Sequence, residues 1–259
     1  FSFYSFLQKM RIENSFIPVS GIGEKTEKKY WKKGITHWDH VEDSSDLSDA
    51  KKDKIVEFIQ KARKNLEVNN EAFFKQKFPN KELWRTYRNF EDDVAFFDIE
   101  TTGLEPERNK VTTVSIHRGD ETKTLIRGQD LTKEKLEEEF FEASMIVSFN
   151  GKRFDQPFLE KSFNMNIENP HLDLMYTCKR LGYSGGLKKI EKEMNIDREL
   201  EDLDGREAIR LWKKYENEGD EEALRKLVEY NQYDTVNLRD LLERTHNQLR
   251  ADIFEPHLD

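Results

Sequence analysis

Residues 94–103, VAFFDIETTG, begin the part of the chain whose pattern decides the fold. Two further short runs follow, VTTVSIH at residues 111–117 and TKTLI at residues 122–126. All three are rich in β-branched and aromatic residues, and turns that contain Gly, Pro or Asn separate them. We therefore predict three successive strands that are antiparallel neighbours.

Strands and helices alternate after residue 126. In order, the pattern predicts a helix over 131–141, a strand over 143–150, a helix over 155–163, a short strand over 171–175, and helices over 187–194, 201–215 and 221–249. Three antiparallel strands followed by two βα crossings indicate an α/β domain with a mixed five-stranded sheet flanked by helices.

The first part of the chain has a different pattern and a different charge. Helical spacing predicts helices over residues 24–31, 49–66 and 71–78, without a strand signal between them. Residues 1–90 carry 18 Lys and Arg against 13 Asp and Glu, a net charge of +5, whereas the remaining residues carry 25 against 39, a net charge of −14. We predict a small all-α module over residues 1–90 and an α/β domain over residues 91–259, and the charge asymmetry indicates a nucleic-acid partner.

Composition limits where the protein works. With 37% charged residues, a mean hydropathy of −0.90 and no apolar run of about 18 residues, the chain is not expected to contact a membrane. Residues 1–9, FSFYSFLQK, lack a basic leader and a cleavage site, so we do not expect a signal peptide. Cys178 is the single cysteine and cannot form an internal disulfide, which favours a reducing, cytoplasmic location.

Two acidic side chains end the first predicted strand. Asp98 and Glu100 are two residues apart, so they leave the same face of the sheet at the same end. Two carboxylates aimed at one point repel each other unless a cation lies between them. The pair therefore indicates a metal site, although a lone pair of this kind is more often two solvated acids.

Two later segments carry further polar groups. Asp155 follows a predicted strand that ends at Asn150, and an Asp in this position is ordinarily a helix cap. Tyr230 and Asp234 are four residues apart and share one face of the last predicted helix. Each alone is more often structural, the tyrosine as a core aromatic and the aspartate as a solvated acid.

These residues form three motifs: DxE at Asp98 and Glu100, NxxxFD from Asn150 to Asp155, and YxxxD at Tyr230 and Asp234. Together and in this order, the three motifs resemble those of a known family. Over residues 94–245 the chain resembles the DnaQ-like, or DEDD, exonuclease superfamily in its tyrosine-bearing branch, and particularly the YprB-like ribonuclease H-like proteins. It is also similar to the proofreading domains of family B DNA polymerases. The resemblance implies a ribonuclease H-like sheet and a 3′→5′ exonuclease.

The resemblance also implies roles for individual residues. Asp98, Glu100, Asp155 and Asp234 are expected to hold two divalent cations, Mg²⁺ or Mn²⁺, and Tyr230 is expected to orient the attacking water. Asp173 matches a secondary acidic position, as open to a structural role as to a functional one. The expected substrate contacts are Thr101, Thr102, Gly103, Leu104 and Asn150, with Lys152 and Arg153 beside the second motif.

The chemistry explains why this residue set is needed. Hydrolysis of a phosphodiester requires a nucleophile formed from water and a stabilised leaving oxygen, and two cations about 4 Å apart supply both. Ligands that are all oxygen favour Mg²⁺ or Mn²⁺ over zinc.

A glycine turn lies directly before the first predicted helix. It resembles a helix-hairpin-helix element over residues 15–45, which would bind a nucleic-acid backbone through N–H groups and lysines. Plain helical packing is the alternative, and Phe16, Trp31 and Trp38 are expected to form the core of this module. The expected backbone contacts are Gly21, Gly23, Lys25, Thr26, Lys28 and Lys29.

These observations predict a metal-dependent 3′→5′ exonuclease that acts on single-stranded DNA ends, with RNA ends left open. Two alternatives remain at this point. A structure-selective endonuclease would use the same fold, and a catalytically silent nucleic-acid-binding protein would retain the fold without cleavage. The SGG sequence at residues 184–186, followed by Lys188 and Lys189, lacks a phosphate-loop pattern and is interpreted as a helix start.

Overall fold

A computed structural model of the chain describes residues 10–197 and 203–258. These residues form two compact units, one of residues 10–91 with 245–258 and one of residues 92–197 with 203–244. Residues 245–258 thus belong with the helical unit, not with the α/β domain in which the sequence pattern placed them. The physical reason is aromatic packing, because the rings of Phe254 and His257 lie 5.0 and 5.7 Å from that of Trp31.

The described residues of the first unit form helices joined by turns and irregular segments. Its core contains the side chains of Phe16, Trp31 and Trp38, as predicted. Both indole N–H groups are satisfied, since Trp31 donates to the carbonyl of Asn14 and Trp38 to that of Ser15, each at 2.9 Å. The α-helices are α1 (Glu24–Trp31), α2 (Asp49–Glu67) and α3 (Glu71–Lys77), with 3₁₀ helices at Ile12–Asn14, Trp38–His40 and Asn80–Asn89.

The second unit contains the predicted mixed five-stranded sheet. The strands are β1 (Val94–Thr101), β2 (Val111–Arg118), β3 (Glu121–Ile126), β4 (Met145–Ser148) and β5 (His171–Asp173). Their order is β3-β2-β1-β4-β5, with β1 antiparallel to β2, β2 antiparallel to β3, β1 parallel to β4 and β4 parallel to β5. The α/β fold class and the antiparallel start of the sheet are confirmed.

Six helices accompany the sheet: α4 (Lys133–Phe141), α5 (Asp155–Phe163), α6 (Leu174–Arg180), α7 (Leu187–Glu193), α8 (Gly205–Glu218) and α9 (Glu221–Ile253). Several boundaries differ from the prediction, and two of the differences have a visible cause. The strand expected over 171–175 ends at Asp173, whose carboxylate caps α6. Helix α8 begins at Gly205 because Asp204 accepts two N–H groups of its first turn, and residues 201–202 of the predicted helix lie outside the described residues.

The alternation of side chains along β1 separates the core from the polar site. Ala95, Phe97 and Ile99 lie in the apolar cluster on one face of the sheet, so Asp98 and Glu100 point to the other face. Because β1 and β4 are parallel, the loop after β4 emerges at the same edge as the two acids. No helix among the described residues combines the length and apolarity that crossing a bilayer demands.

Candidate active site

Three carboxylates converge at the carboxyl end of β1. Oxygen atoms of Asp98, Glu100 and Asp234 all lie within 4.8 Å of one another. The first two come from the strand, whereas Asp234 comes from α9, more than 130 residues later. The tertiary structure therefore brings together the acids of the first and third motifs.

Asp155 of the second motif lies beside this group. Its side chain is 4% exposed, and its Oδ1 accepts a hydrogen bond at 3.2 Å from the backbone N–H of Ile99, the residue between the two strand acids. The charge of Asp155 contributes to a raised pKa at both Asp98 and Glu100. All four predicted ligands thus share one electrostatic site.

Burial and mutual repulsion make the ionised site unfavourable by itself. Burial, followed by the charges of Asp155 and Asp234, raises the pKa of Asp98 well above its ordinary value. Burial and the same two neighbours raise the pKa of Glu100, and burial raises the pKa of Asp155 to about 7. The cluster needs either protons or positive charge.

A hard divalent cation fits the donors of this cluster. Every ligand is a carboxylate oxygen, the donor type preferred by Mg²⁺ and Mn²⁺. A bound cation would also favour the ionised form of the carboxylates, because each of them is then attracted to the same positive charge.

Tyr230 lies one helical turn before Asp234 and is 5% exposed. Burial is the main cause of its raised pKa, and the charges of Asp234, Glu100 and Asp98 add to it. Its hydroxyl also hydrogen bonds with Asp234. The phenol therefore stays neutral at physiological pH and can donate or orient, but it does not act as an anionic base.

Asn231 is a site residue that the sequence pattern did not identify. Its Nδ2 donates to Asp98 Oδ2 at 2.8 Å, and its Oδ1 accepts from Thr113 Oγ1 at 2.9 Å. The side chains of Asn231 and Thr113 are fully buried. The sequence did contain a signal for Asn231, because this residue lies three positions before Asp234 and so shares its helical face.

Lys188 is a second such residue. Its Nζ lies 5.1 Å from the centroid of the Tyr230 ring, and its positive charge acts to lower the pKa of Glu100. The neighbouring Lys189 is directed elsewhere, since its Nζ donates to the carbonyl of Ser184. Gly186 caps the start of α7, as the interpretation of SGG as a helix start requires.

The turn after β1 exposes an apolar side chain. Thr101 Oγ1 donates to the carbonyl of Gly103 at 2.7 Å, and Thr102 Oγ1 donates to Asn109 Oδ1 at 3.3 Å. A Cβ at Gly103 would lie 2.4 Å from Asn109 Oδ1, so a larger residue there would displace the Asn109 side chain. Leu104 is 80% exposed in the same turn.

The predicted contacts beside the second motif lie between β4 and α5. Asn150 adopts a left-handed conformation with φ of 64°, which asparagine tolerates better than most residues. Lys152 is half-buried, and Arg153 is exposed.

The predicted backbone-binding residues lie in the first unit. Gly21 has φ of 88°, and Gly23 caps α1, which carries Lys25, Thr26, Lys28 and Lys29. The described residues before this turn form the 3₁₀ helix Ile12–Asn14 and turns. The helix-hairpin-helix element therefore stays a prediction.

Comparison with known proteins identifies a family for the second unit. The model of the RNase H superfamily matches residues 95–246, more than half of the chain. An uncharacterized protein of Methanocaldococcus jannaschii, MJ0365, is 32% identical over 168 residues, which cover 58% of this chain and 90% of that protein.

The solved structures to which the chain is similar have lower sequence identity. Brucella melitensis NrnC with bound Mg²⁺ is 23% identical, with a TM-score of 0.47 over 64% of this chain and 78% of that one. The family B DNA polymerase of the archaeon Pyrobaculum calidifontis is 16% identical, with a TM-score of 0.47 over 58% of this chain and 24% of that one. Since both TM-scores are below 0.5, the family rests on the sequence matches.

Proposed function

This chain belongs to the RNase H superfamily, and from that premise we propose that it is a metal-dependent 3′→5′ exonuclease of the DEDD type with a site tyrosine. The observation that carries the proposal is the convergence of three carboxylates within 4.8 Å on a strand and a helix, with Asp155 beside them. A buried set of like charges with oxygen donors is suited to divalent cations.

The four carboxylates Asp98, Glu100, Asp155 and Asp234 would hold two cations, Mg²⁺ or Mn²⁺. When bound, such cations activate water and stabilise the leaving oxygen of a phosphodiester. Asn231 fixes the orientation of the Asp98 carboxylate through its 2.8 Å hydrogen bond. The pKa of the Tyr230 hydroxyl is raised, so it acts as a neutral group that orients water beside Asp234.

Other residues would bind the substrate. Lys188 is close enough to the Tyr230 ring to place a positive charge against the scissile phosphate. Leu104 extends from the turn after β1 and offers an apolar surface to the terminal base. Asn150, Lys152 and Arg153 would contact the neighbouring phosphates, and single-stranded DNA ends are the proposed substrate.

The first unit would bind the nucleic-acid backbone. Residues 1–90 carry a net charge of +5, and Lys25 and Lys29 are exposed on α1. Binding of this kind releases counterions and does not depend on sequence.

The test uses 5′-labelled single-stranded, duplex and overhang substrates in DNA and RNA, incubated with Mg²⁺ or Mn²⁺. A ladder of shortening products supports the exonuclease. One discrete cut indicates a structure-selective endonuclease, and binding without cleavage indicates a silent nucleic-acid-binding protein.

Two variants connect the activity to the site. Asp98→Ala and Asp155→Ala should each abolish cleavage while leaving binding of DNA in EDTA unchanged. Divalent-dependent cleavage that survives either substitution would show that the catalytic site lies elsewhere.

A further inference from the structure

Asp173 is a buried carboxylate outside the ligand cluster. It ends β5 and is 3% exposed. Its two oxygens accept three backbone N–H groups, from Asn150 at 2.8 Å, from Lys152 at 3.1 Å and from Met175 at 3.0 Å. One buried anion therefore joins two segments of backbone that are more than 20 residues apart.

Two of these three donors belong to the loop between β4 and α5. This loop ends at Asp155, three residues after Lys152. Asn150 occupies the left-handed region there, a conformation that few side chains adopt without support. A Cβ at Gly151 would lie 2.1 Å from Ser148 Oγ, so the loop lies tightly against the end of β4.

A second set of hydrogen bonds holds the other end of the same loop. His171, also on β5, is 2.6 Å from Ser148 Oγ through Nε2 and 2.7 Å from Gln156 Oε1 through Nδ1. Gln156 Nε2 donates to Glu160, so its Oε1 is the acceptor and His171 Nδ1 must carry a proton. Strand β5 thus supports the loop before Asn150 and after Asp155.

From this arrangement we infer that Asp173 is a positioning residue that clamps the loop over residues 150–152 and thereby holds Asp155 at the metal cluster. The inference rests on the proposed metal site and adds a residue that does not touch the cations. A loop that has lost its anchor moves more freely, and Asp155 then spends less time beside the backbone N–H of Ile99, its partner at 3.2 Å.

Asparagine at this position tests the clamp because it keeps the size of the side chain. Its amide can accept with one oxygen only, and its NH₂ group must then face one of the backbone N–H groups that Asp173 satisfies. Asp173→Asn should weaken Mn²⁺ binding, measured by calorimetry, by about 10–100-fold, the usual cost of losing an outer-shell partner.

Amide hydrogen exchange provides a measurement that does not depend on nuclease activity. In the wild-type protein, the amides of Asn150 and Lys152 should exchange far more slowly than unprotected amides. In Asp173→Asn at least one of the two should lose this protection, whereas amides within β1 should keep theirs. Asp130→Asn is the matched control, because Asp130 Oδ1 also accepts a backbone N–H, that of Ile126 at 2.7 Å, in the turn after β3.

The outcomes separate the two proposals. A folded Asp173→Asn protein with unchanged Mn²⁺ affinity overturns the inference, as do wild-type Asn150 and Lys152 amides that exchange at unprotected rates. If Asp173→Asn does not fold, the exchange rates of the Asn150 and Lys152 amides in the wild-type protein test the inference instead. A wild-type protein that binds Mn²⁺ but cleaves no nucleic acid overturns the nuclease and leaves the clamp standing, whereas one that binds no Mn²⁺ overturns both.

Discussion

Each unit of this protein buries a group of carboxylates, and the charges that face the two groups differ. In the first unit Glu27 and Glu82 are fully buried with Arg85, whose Nη1 is 3.0 Å from Glu27 and whose Nε donates to Glu82 at 2.6 Å. In the second unit Asp98 and Glu100 face other acids, and their pKa values are raised. The first group faces one cation of the chain, which offsets one of its two charges and opposes the rise that burial causes in the pKa of Glu27, whereas the second is suited to cations from solution.

The first group is further held by hydrogen bonds and aromatic rings of its own unit. Glu27 Oε1 also accepts from Ser15 Oγ and from the backbone N–H of Phe16, both at 2.7 Å. The Arg85 guanidinium lies 5.7 and 5.1 Å from the rings of Trp31 and Trp84. Buried acids therefore do not by themselves indicate a metal site; the charge that faces them decides.

Replacing an acid of the second group should have the largest effect on function. Glu100→Gln should lower divalent-dependent cleavage by at least about 10³-fold, since metal ligation supplies several kcal/mol to such reactions. The same variant should raise the melting temperature of the metal-free protein, because one of the repelling charges is gone. Cleavage assays and thermal unfolding in EDTA measure the two effects. A loss of melting temperature in EDTA would contradict the account of the cluster as mutually repulsive.

Replacing the cation of the first group should destabilise the fold. Arg85→Met removes the guanidinium that faces the buried Glu27 and Glu82 and should cost about 3 kcal/mol in the free energy of unfolding. Urea unfolding measures the change. Arg225→Met is the control, because Arg225 pairs with Glu222 on the surface and its loss should cost less than about 1 kcal/mol. Equal costs at both positions would show that burial of the ion pairs is unimportant.

Acid should stabilise the metal-free form of the second group. Burial raises the pKa of Asp155 to about 7, so the metal-free folded state binds more protons than the unfolded state between pH 4 and 7. Stability in EDTA should therefore fall as the pH rises through this window, and Asp155→Asn should remove that part of the fall. Metal binding requires the ionised form, so at subsaturating Mg²⁺ cleavage should drop about tenfold per pH unit below 7. A flat profile between pH 5 and 7 would be inconsistent with protonation of this cluster.

The smallest expected effect concerns Lys188, the lysine that we place beside the acidic cluster. Lys188→Met should raise the KM for DNA about tenfold, the loss expected for a hydrogen bond to a charged group. Lys189→Met is a matched control on the same helix, because Lys189 is engaged by Ser184 and Glu193. Steady-state kinetics on both variants should separate them, and similar KM values would remove Lys188 from the substrate contacts.

Local pattern was sufficient for most of the fold. The strands β1 to β3 were predictable because β-branched and aromatic residues are concentrated in three short runs between clear turns. The end of β5 was not, since residues 171–175 are too short for periodicity to separate a strand from a helix, and the capping carboxylate of Asp173 decided the boundary. The packing partner of residues 245–258 was equally out of reach, because helical periodicity identifies an apolar face but not the surface that covers it.

For the candidate site, the sequence alone determined two pairs of side chains that share a face, Asp98 with Glu100 on a strand and Tyr230 with Asp234 on a helix, and its resemblance to the DEDD exonucleases implied Asp155 as a further ligand. Only the tertiary structure decided that Asn231 supports Asp98, that Lys188 lies over Tyr230 and that Asp173 anchors the loop before Asp155. These contacts join elements far apart in the chain, and such proximity depends on how strands pair and helices pack, which no local spacing encodes.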